Sequence, residues 1–282
     1  MKQIVIISGK GGTGKTILTA SFAALAKGKV MVDCDVDAAD LHLLLRPKIR
    51  ERHEFRSGLT AQINAEICEQ CSQCISACSF AAISEDFIVD PLSCEGCTIC
   101  SYVCPSGAIT LEENVSGEWF VSDTKYGPLV HARLGIAEEN SGKLVTQVRQ
   151  GAKDIAEKDN LDYVIIDGPP GIGCPVIASL SGADLALIVT EPTLSGIHDM
   201  ERVAQVSKHF GVLTKVVINK YDINLDNSEK IEKICQKGNI EVIAQLPFAQ
   251  KVSESIVKGV PLIEFCSNEI AQDISFLWER VK

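Results

Sequence analysis

Short apolar runs recur along this chain, several closed by a carboxylate or an asparagine, and they alternate with segments of helical spacing. The first covers residues 4–7, turns through glycines, and enters a small-residue segment over 17–26 that predicts a helix. Runs at 29–32, 163–166, 185–189, 216–218 and 241–243 are short and apolar but for Lys29 and Glu241, which predicts strands buried on both faces. Between them lie a short helix over 41–45 and amphipathic helices near 200–210 and 227–237. Leu144, Val148, Ala152 and Ile155 form a further helical stripe behind a cap at Asn140-Ser141. Such alternation predicts an α/β, doubly wound fold with a mostly parallel sheet.

Elsewhere the rhythm changes. Residues 49–64 read as a β connection, and 118–121 with 129–134 as strands around the turn at Tyr126-Gly127-Pro128. His131 and Arg133 alternate with apolar neighbours there, which predicts a hydrogen-bonded polar face rather than a ligand site. Ile270, Ile274, Leu277 and Val281 form a stripe near the C-terminus. The opposite face carries Glu269, Asp273, Glu279, Arg280 and Lys282, without the basic bias that anionic lipid requires. That helix is expected to dock on the core, with no stable membrane anchor.

Charge divides the chain. No lysine or arginine occurs from Ser57 through Thr124, a stretch holding Glu66, Glu69, Glu85, Asp86, Asp90, Glu95, Glu112, Glu113, Glu118 and Asp123. The remaining 27 acids balance the 27 lysines and arginines, so the whole net charge of −10 belongs to this quarter. The shift marks a separate module over 57–113, inserted between 1–56 and 114–282. Its acidity argues against nucleic acid and for a partner with a basic docking face. No apolar stretch approaches the roughly 18 residues of a membrane span. With no signal-peptide pattern and with clustered cysteines, the expected location is cytoplasmic.

The glycine turn after residue 7 meets G-x-x-x-x-G-K-[ST] through Gly9, Gly14, Lys15 and Thr16. Backbone N–H groups of Gly11, Gly12, Thr13 and Gly14 can surround polyphosphate oxygens at the helix N-terminus. Lys15 would neutralise the outer phosphates, and the Thr16 hydroxyl would sit on Mg²⁺. With the second lysine, Lys10, the loop resembles that of the deviant-Walker ATPases, the family of MinD, ParA, Mrp and the nitrogenase iron protein. The resemblance implies ATP and Mg²⁺, and a dimer in which Lys10 reaches the other subunit's nucleotide. In Asp33-Cys34-Asp35 it makes Asp35 the residue orienting the attacking water and the metal shell, with Asp33 in support. Asp37 and Asp40 compete for that role but suit a helix N-terminal turn. Asp167-Gly168-Pro169-Pro170-Gly171 resembles the family's second switch, implying Asp167 in the Mg²⁺ shell and Gly171 as a phosphate sensor. Asn219 and Pro247, in Leu246-Pro247-Phe248, are implied in adenine binding.

Twelve cysteines include two sets spaced C-x₂-C-x₂-C-x₃-C: Cys68, Cys71, Cys74 and Cys78, then Cys94, Cys97, Cys100 and Cys104. The pattern repeats after 26 residues, tails included, though Ser79 stands where the second copy has Pro105. It resembles the bacterial two-cluster ferredoxins, small α+β domains, with four-cysteine zinc as the competing reading. The resemblance implies one [4Fe–4S] cluster on Cys68, Cys71, Cys74 and Cys104, and another on Cys78, Cys94, Cys97 and Cys100, since the fourth residue ligates the other cluster. Acidic surroundings predict low potentials. Cys174 lies seven residues past Asp167, where the nitrogenase iron protein has a cluster ligand. No second cysteine stands near Glu139, so a small buried residue is the expectation. Cys34, Cys235 and Cys266 read as structural.

Together these features imply an ATPase, as a homodimer or a heterodimer with a paralogue, that couples its nucleotide switch to electron transfer. The alternative is a carrier or assembly ATPase for Fe–S or another metal cofactor. A positioning protein of the MinD or ParA kind is disfavoured by the missing basic helix.

Overall fold

The computed structural model describes residues 1–135, 141–267 and 269–282. Its strands are β1 (Lys2–Ser8), β2 (Lys29–Asp33), β3 (Lys48–Ile63), β4 (Ile109–Thr124), β5 (Gly127–Leu134), β6 (Tyr163–Pro170), β7 (Leu185–Thr190), β8 (Leu213–Asn219) and β9 (Glu241–Leu246). The helices are α1 (Lys15–Leu25), α2 (Leu41–Leu45), α3 (Gln73–Ala77), α4 (Ile99–Val103), α5 (Ser141–Lys158), α6 (Cys174–Leu180), α7 (Leu194–His209), α8 (Leu225–Lys237), α9 (Gln250–Lys258), α10 (Leu262–Phe265) and α11 (Glu269–Val281). Hydrogen bonds order the strands β3-β4-β5-β2-β6-β1-β7-β8-β9, and every pairing from β5 to β9 is parallel. The α/β fold with a mostly parallel central sheet is the one predicted.

The chain forms two compact units. One comprises Met1–Arg52, Trp119–Arg133 and Ser141–Lys282; the other comprises His53–Glu118 and Leu134–Asn140. In the first unit Ile4, Ile6, Met31, Ile165 and Leu187 fill the sheet's interior beside Phe22 of α1. Trp278 closes this core, its ring centroid 5.2 Å from that of Phe22 and 5.4 Å from that of Tyr163. Ile270, Ile274, Leu277 and Val281 are buried, so α11 docks by its apolar stripe. In the second unit Ala61, Ile83 and Ile109 pack with Cys74, and Cys78, Cys94, Cys100 and Cys104 border the cluster.

Several boundaries differ from expectation. Strand β4 is continuous from Ile109 to Thr124, because the polar stretch around Ser116 pairs within the ladder and the Ser116 hydroxyl donates to the Ser57 carbonyl. Helix α7 starts at Leu194, six residues early, since the Thr193 hydroxyl accepts the Gly196 N–H and caps it. His131 lies 2.9 Å from Ser122 Oγ and stacks on Phe120 at 5.1 Å, the satisfied face expected of it. The cap proposed at Asn140 lies outside the described residues. Among the described residues no helix is long and apolar enough to cross a membrane.

Candidate functional site

Parallel register brings the loop and the carboxylates together. Asp33 pairs with Asp167 between β2 and β6, and Ser8 with Pro170 between β1 and β6, so three strands end side by side at their carboxyl edge. A cleft of about 1730 Å³ opens over this edge, lined by Gly11, Gly12, Gly14, Lys15, Thr16, Asp35, Asp37, Asp40, Pro169, Pro170, Asn219, Pro247 and Phe248, among others. Its apolar end is made by Leu43, Leu44, Val252 and Ile256.

Gly14 caps α1 in the left-handed region, at φ 97°, and a Cβ there would meet Asn219 Nδ2 at 2.5 Å. Only glycine fits both requirements. The Asn219 amide donates to the Thr13 carbonyl at 2.7 Å, and its oxygen accepts the Lys220 N–H at 3.1 Å. Lys220 Nζ also reaches the Gly12 carbonyl at 3.4 Å. These bonds hold loop carbonyls outward, which leaves loop N–H groups for an anion. The Thr13 hydroxyl is buried with no hydrogen-bond partner among the described residues, an orphan that a phosphate oxygen would satisfy.

Asp167 is buried, and its carboxylate is bonded by the hydroxyls of Thr16 and Thr19, the latter at 3.0 Å. Burial pushes its acid up to about 6, against the pull of Lys15 and the two hydroxyls, with Asp35 raising it further. Asp33 is held well above the carboxylate range by burial and by Asp167, although the Asp35 and Leu41 N–H groups donate to it. It thereby supports the loop carrying Asp35. Asp35 is itself raised by desolvation, opposed by Lys15 and reinforced by Asp37 and Asp40. A buried lysine, two hydroxyls and crowded carboxylates fit a Mg²⁺–polyphosphate, whose charges would relieve the crowding.

The structure thus gathers Lys15, Thr16, Asp35, Asp167, Asn219 and Pro247 around one cleft. Lys10 instead turns to Glu191, 3.2 Å away, and the Gly171 N–H donates to the Ser8 carbonyl at 2.9 Å. Asn219 is engaged by the loop and Lys220, not solely by the base end. Sequence reasoning missed Thr19, Glu191, Lys220 and Asp222, whose carboxylate accepts the Phe248 N–H at 2.7 Å. Glu191 carries the signal that marks Asp33 and Asp167, a carboxylate directly after a buried strand. Cys174 is a correction: it is exposed at the first position of α6, whose start has no side-chain hydrogen-bond cap among the described residues. Cys34 and Cys235 are buried as expected.

In the second unit Cys78, Cys94, Cys97 and Cys100 line one small cavity, otherwise largely apolar. Cys74 lies within electrostatic reach of Cys68 and Cys104, as Cys100 does of Cys94 and Cys97. Among the described residues, no group of three or more His, Cys, Asp or Glu forms a ready site for a single metal ion. The two repeats share their backbone. Left-handed φ values recur 26 residues apart, at Gln70 and Gly96 (53° and 60°), Ser72 and Thr98 (59° and 69°), and Ala81 and Gly107 (50° and 64°). The Ala82 N–H donates to Cys78 Sγ at 3.4 Å, and the Ala108 N–H to Cys104 Sγ at 3.3 Å.

A glycine-rich loop entering a helix, with carboxylates on the adjacent strand ends, defines a P-loop nucleotide-binding protein. Residues 4–262 match the CobQ/CobB/MinD/ParA nucleotide binding domain, and the chain belongs to that family, as a MinD/ParA-type P-loop ATPase. It is 32% identical over 283 aligned residues to an uncharacterized protein of Methanocaldococcus jannaschii, covering 99% of this chain and 96% of the relative. It is 28% identical to the septum site-determining protein MinD of Synechocystis, over 92% of this chain and 81% of that protein. The fold resembles that of MinD complexed with Mg-ADP from Pyrococcus horikoshii, with a TM-score of 0.63 at 19% identity, covering 100% of this chain and 96% of that one.

Proposed function

We propose that this ATPase carries a two-cluster ferredoxin module in residues 57–113 and uses its nucleotide cycle to control electron delivery to a partner protein. The observation that carries the reading is the repeated backbone around interleaved cysteines. Cys78 of the first set lines a cavity with Cys94, Cys97 and Cys100 of the second, and Cys104 of the second, like Cys68, lies within electrostatic reach of Cys74 of the first. That exchange of the fourth ligand matches two [4Fe–4S] clusters, which would supply one-electron chemistry. Cubane ligands stand on separate irons, so they need not converge as the ligands of one ion do. Burial pushes the Cys74 and Cys100 thiols up, and bound iron would reverse this by holding them as thiolates. Amide donors to Cys78 and Cys104 stabilise sulfur charge.

In the nucleotide cleft, Lys15 would neutralise phosphate charge, Thr16 and Asp167 would hold Mg²⁺, and Asp35 would orient water. Such a set works by positioning and electrostatics. Lys10 acts across a dimer, on the nucleotide of a second copy or a paralogue. Gly171 trades its bond to the Ser8 carbonyl for the terminal phosphate, which moves the second switch. Pro247 and Phe248 offer the base an apolar wall. The acidic face of the second unit suits a redox partner with a basic docking surface.

The test uses anaerobically purified full-length protein: cluster potentials by EPR-monitored titration, with and without Mg²⁺ and a non-hydrolysable ATP analogue. Two cubane signals whose potentials fall when the analogue binds are expected. Absence of cubane signals overturns the ferredoxin module, and potentials indifferent to nucleotide overturn the coupling. In that second case, cluster transfer to an apo-protein separates a carrier from a passive lobe.

A further inference from the structure

Lys10 is tied down within its own chain. Its ammonium lies 3.2 Å from Glu191 Oε2, 3.2 Å from Thr193 Oγ1 and 3.5 Å from Ser195 Oγ. Glu191 follows the last residue of β7, and its side chain is only 13% exposed. Its second oxygen accepts from Lys220 Nζ at 2.5 Å. Lys220 in turn touches the Gly12 carbonyl, while the neighbouring Asn219 holds that of Thr13. One carboxylate therefore joins Lys10, the first lysine of the loop, to the lysine that braces the loop.

From this we infer that Glu191 is a positioning residue that retains Lys10 in its own chain until the nucleotide of a second chain draws it away. The inference rests on the reading of Lys10 as a residue acting across a dimer. Two features make the exchange workable. A triphosphate concentrates more negative charge than one carboxylate, so it can outcompete Glu191 for the ammonium. When Lys10 leaves, Lys220 stays on the other carboxylate oxygen, so no buried charge is stranded, which would otherwise be strongly opposed. Burial pushes the Glu191 acid up, and the bonds and charges of Lys220 and Lys10 outweigh it, so the group stays ionised at neutral pH. Glu191 therefore sets the threshold for dimer closure while keeping the phosphate loop braced.

The two lysines compete for one carboxylate, and this gives variants of opposite sign. Glu191→Gln preserves shape and removes the charge that detains Lys10. Lys220→Met leaves Lys10 as the sole cation on Glu191 and should hold it harder. The measurement is sedimentation velocity of full-length protein with Mg²⁺ and a non-hydrolysable ATP analogue, alongside ATPase rate against protein concentration. Expected is dimerisation of E191Q at roughly tenfold lower protein concentration than the parent chain, the factor that accompanies about 1.4 kcal/mol. K220M should need a higher concentration than the parent. A merely structural Glu191 would weaken both variants in the same direction, and that result overturns the inference. So does an unchanged E191Q when Lys10→Ala has abolished nucleotide-dependent dimerisation. If K10A dimerises and turns over like the parent, the reading of Lys10 fails, and the inference falls with it.

Discussion

Asp33 and Asp167 stand opposite one another on β2 and β6, both buried, and Asp167 adds to the burial that raises the Asp33 acid, while Lys15 only partly offsets the burial of Asp167. Asp167 takes up a proton near pH 6, above its value in an unfolded chain. A group whose folded acid is raised stabilises the fold most below its unfolded value of ~4, and loses that contribution as pH rises through about 6. The nucleotide-free protein should therefore lose on the order of 2 kcal/mol between pH 4.5 and pH 7. Mg²⁺ with nucleotide should reverse the trend, because it favours the ionised carboxylate. Asp167→Asn should flatten the nucleotide-free profile. Calorimetric melts across that range check it, and a parent chain that gains stability toward pH 7 would refute it.

Asn219 spends its amide on the loop carbonyl of Thr13 and the backbone of Lys220. Asn219→Ala should weaken ATP binding about tenfold, since one partly buried hydrogen bond is worth roughly 1 kcal/mol and the loop also loses its set. The melting temperature should fall by only about 2–4 °C. Titration calorimetry with ATP and GTP distinguishes this from base reading. Equal loss for both nucleotides is expected, and a loss confined to ATP would assign the amide to the adenine.

Gly96 sits at φ 60°, and a Cβ there would collide with the Leu59 carbonyl oxygen of β3. Gly96→Ala should cost about 2 kcal/mol or more and lower iron content. Ala81 occupies the same kind of conformation at φ 50° without being glycine. Ala81→Gly should be neutral or stabilising by up to ~1 kcal/mol. Thermal melts and iron analysis of the two variants test the pair, and an alanine tolerated at Gly96 would show that the loop can part from β3.

Under the proposed exchange of the fourth ligand, Cys104→Ser should damage the site built on Cys68, Cys71 and Cys74, not the one beside it in sequence. Cys78→Ser should damage the site of Cys94, Cys97 and Cys100. Each variant is expected to lose up to roughly half its iron, and their EPR spectra should retain different clusters. Identical residual spectra would contradict the interleaving.

Sequence carried the sheet well because its strands are buried on both faces, which makes residues 4–7, 163–166 and 185–189 unbroken apolar runs. Phosphate-loop glycines were equally legible, since Gly14 must tolerate a conformation closed to other residues. Strand β4 was harder: its middle, around Ser116, is polar and earns its place through pairing that only the fold supplies. Short helices α6, α9 and α10 have too few turns to show a period. Cys174 misled because burial depends on what packs over a helix start, which its neighbours in sequence do not record. Glu191 and Lys220 are 29 residues apart and meet only because β7 and β8 are adjacent.

The paired left-handed turns also bear on ancestry. At two of the three matched positions the second copy keeps glycine, Gly96 and Gly107, while the first has Gln70 and Ala81. Glycine occupies such conformations without penalty, so it is the natural founding residue at both places. The first copy holds the same left-handed path with Gln70 and Ala81, side chains that carry a steric cost there. A chain carrying glycine at both places in both copies should hold the same path with less strain.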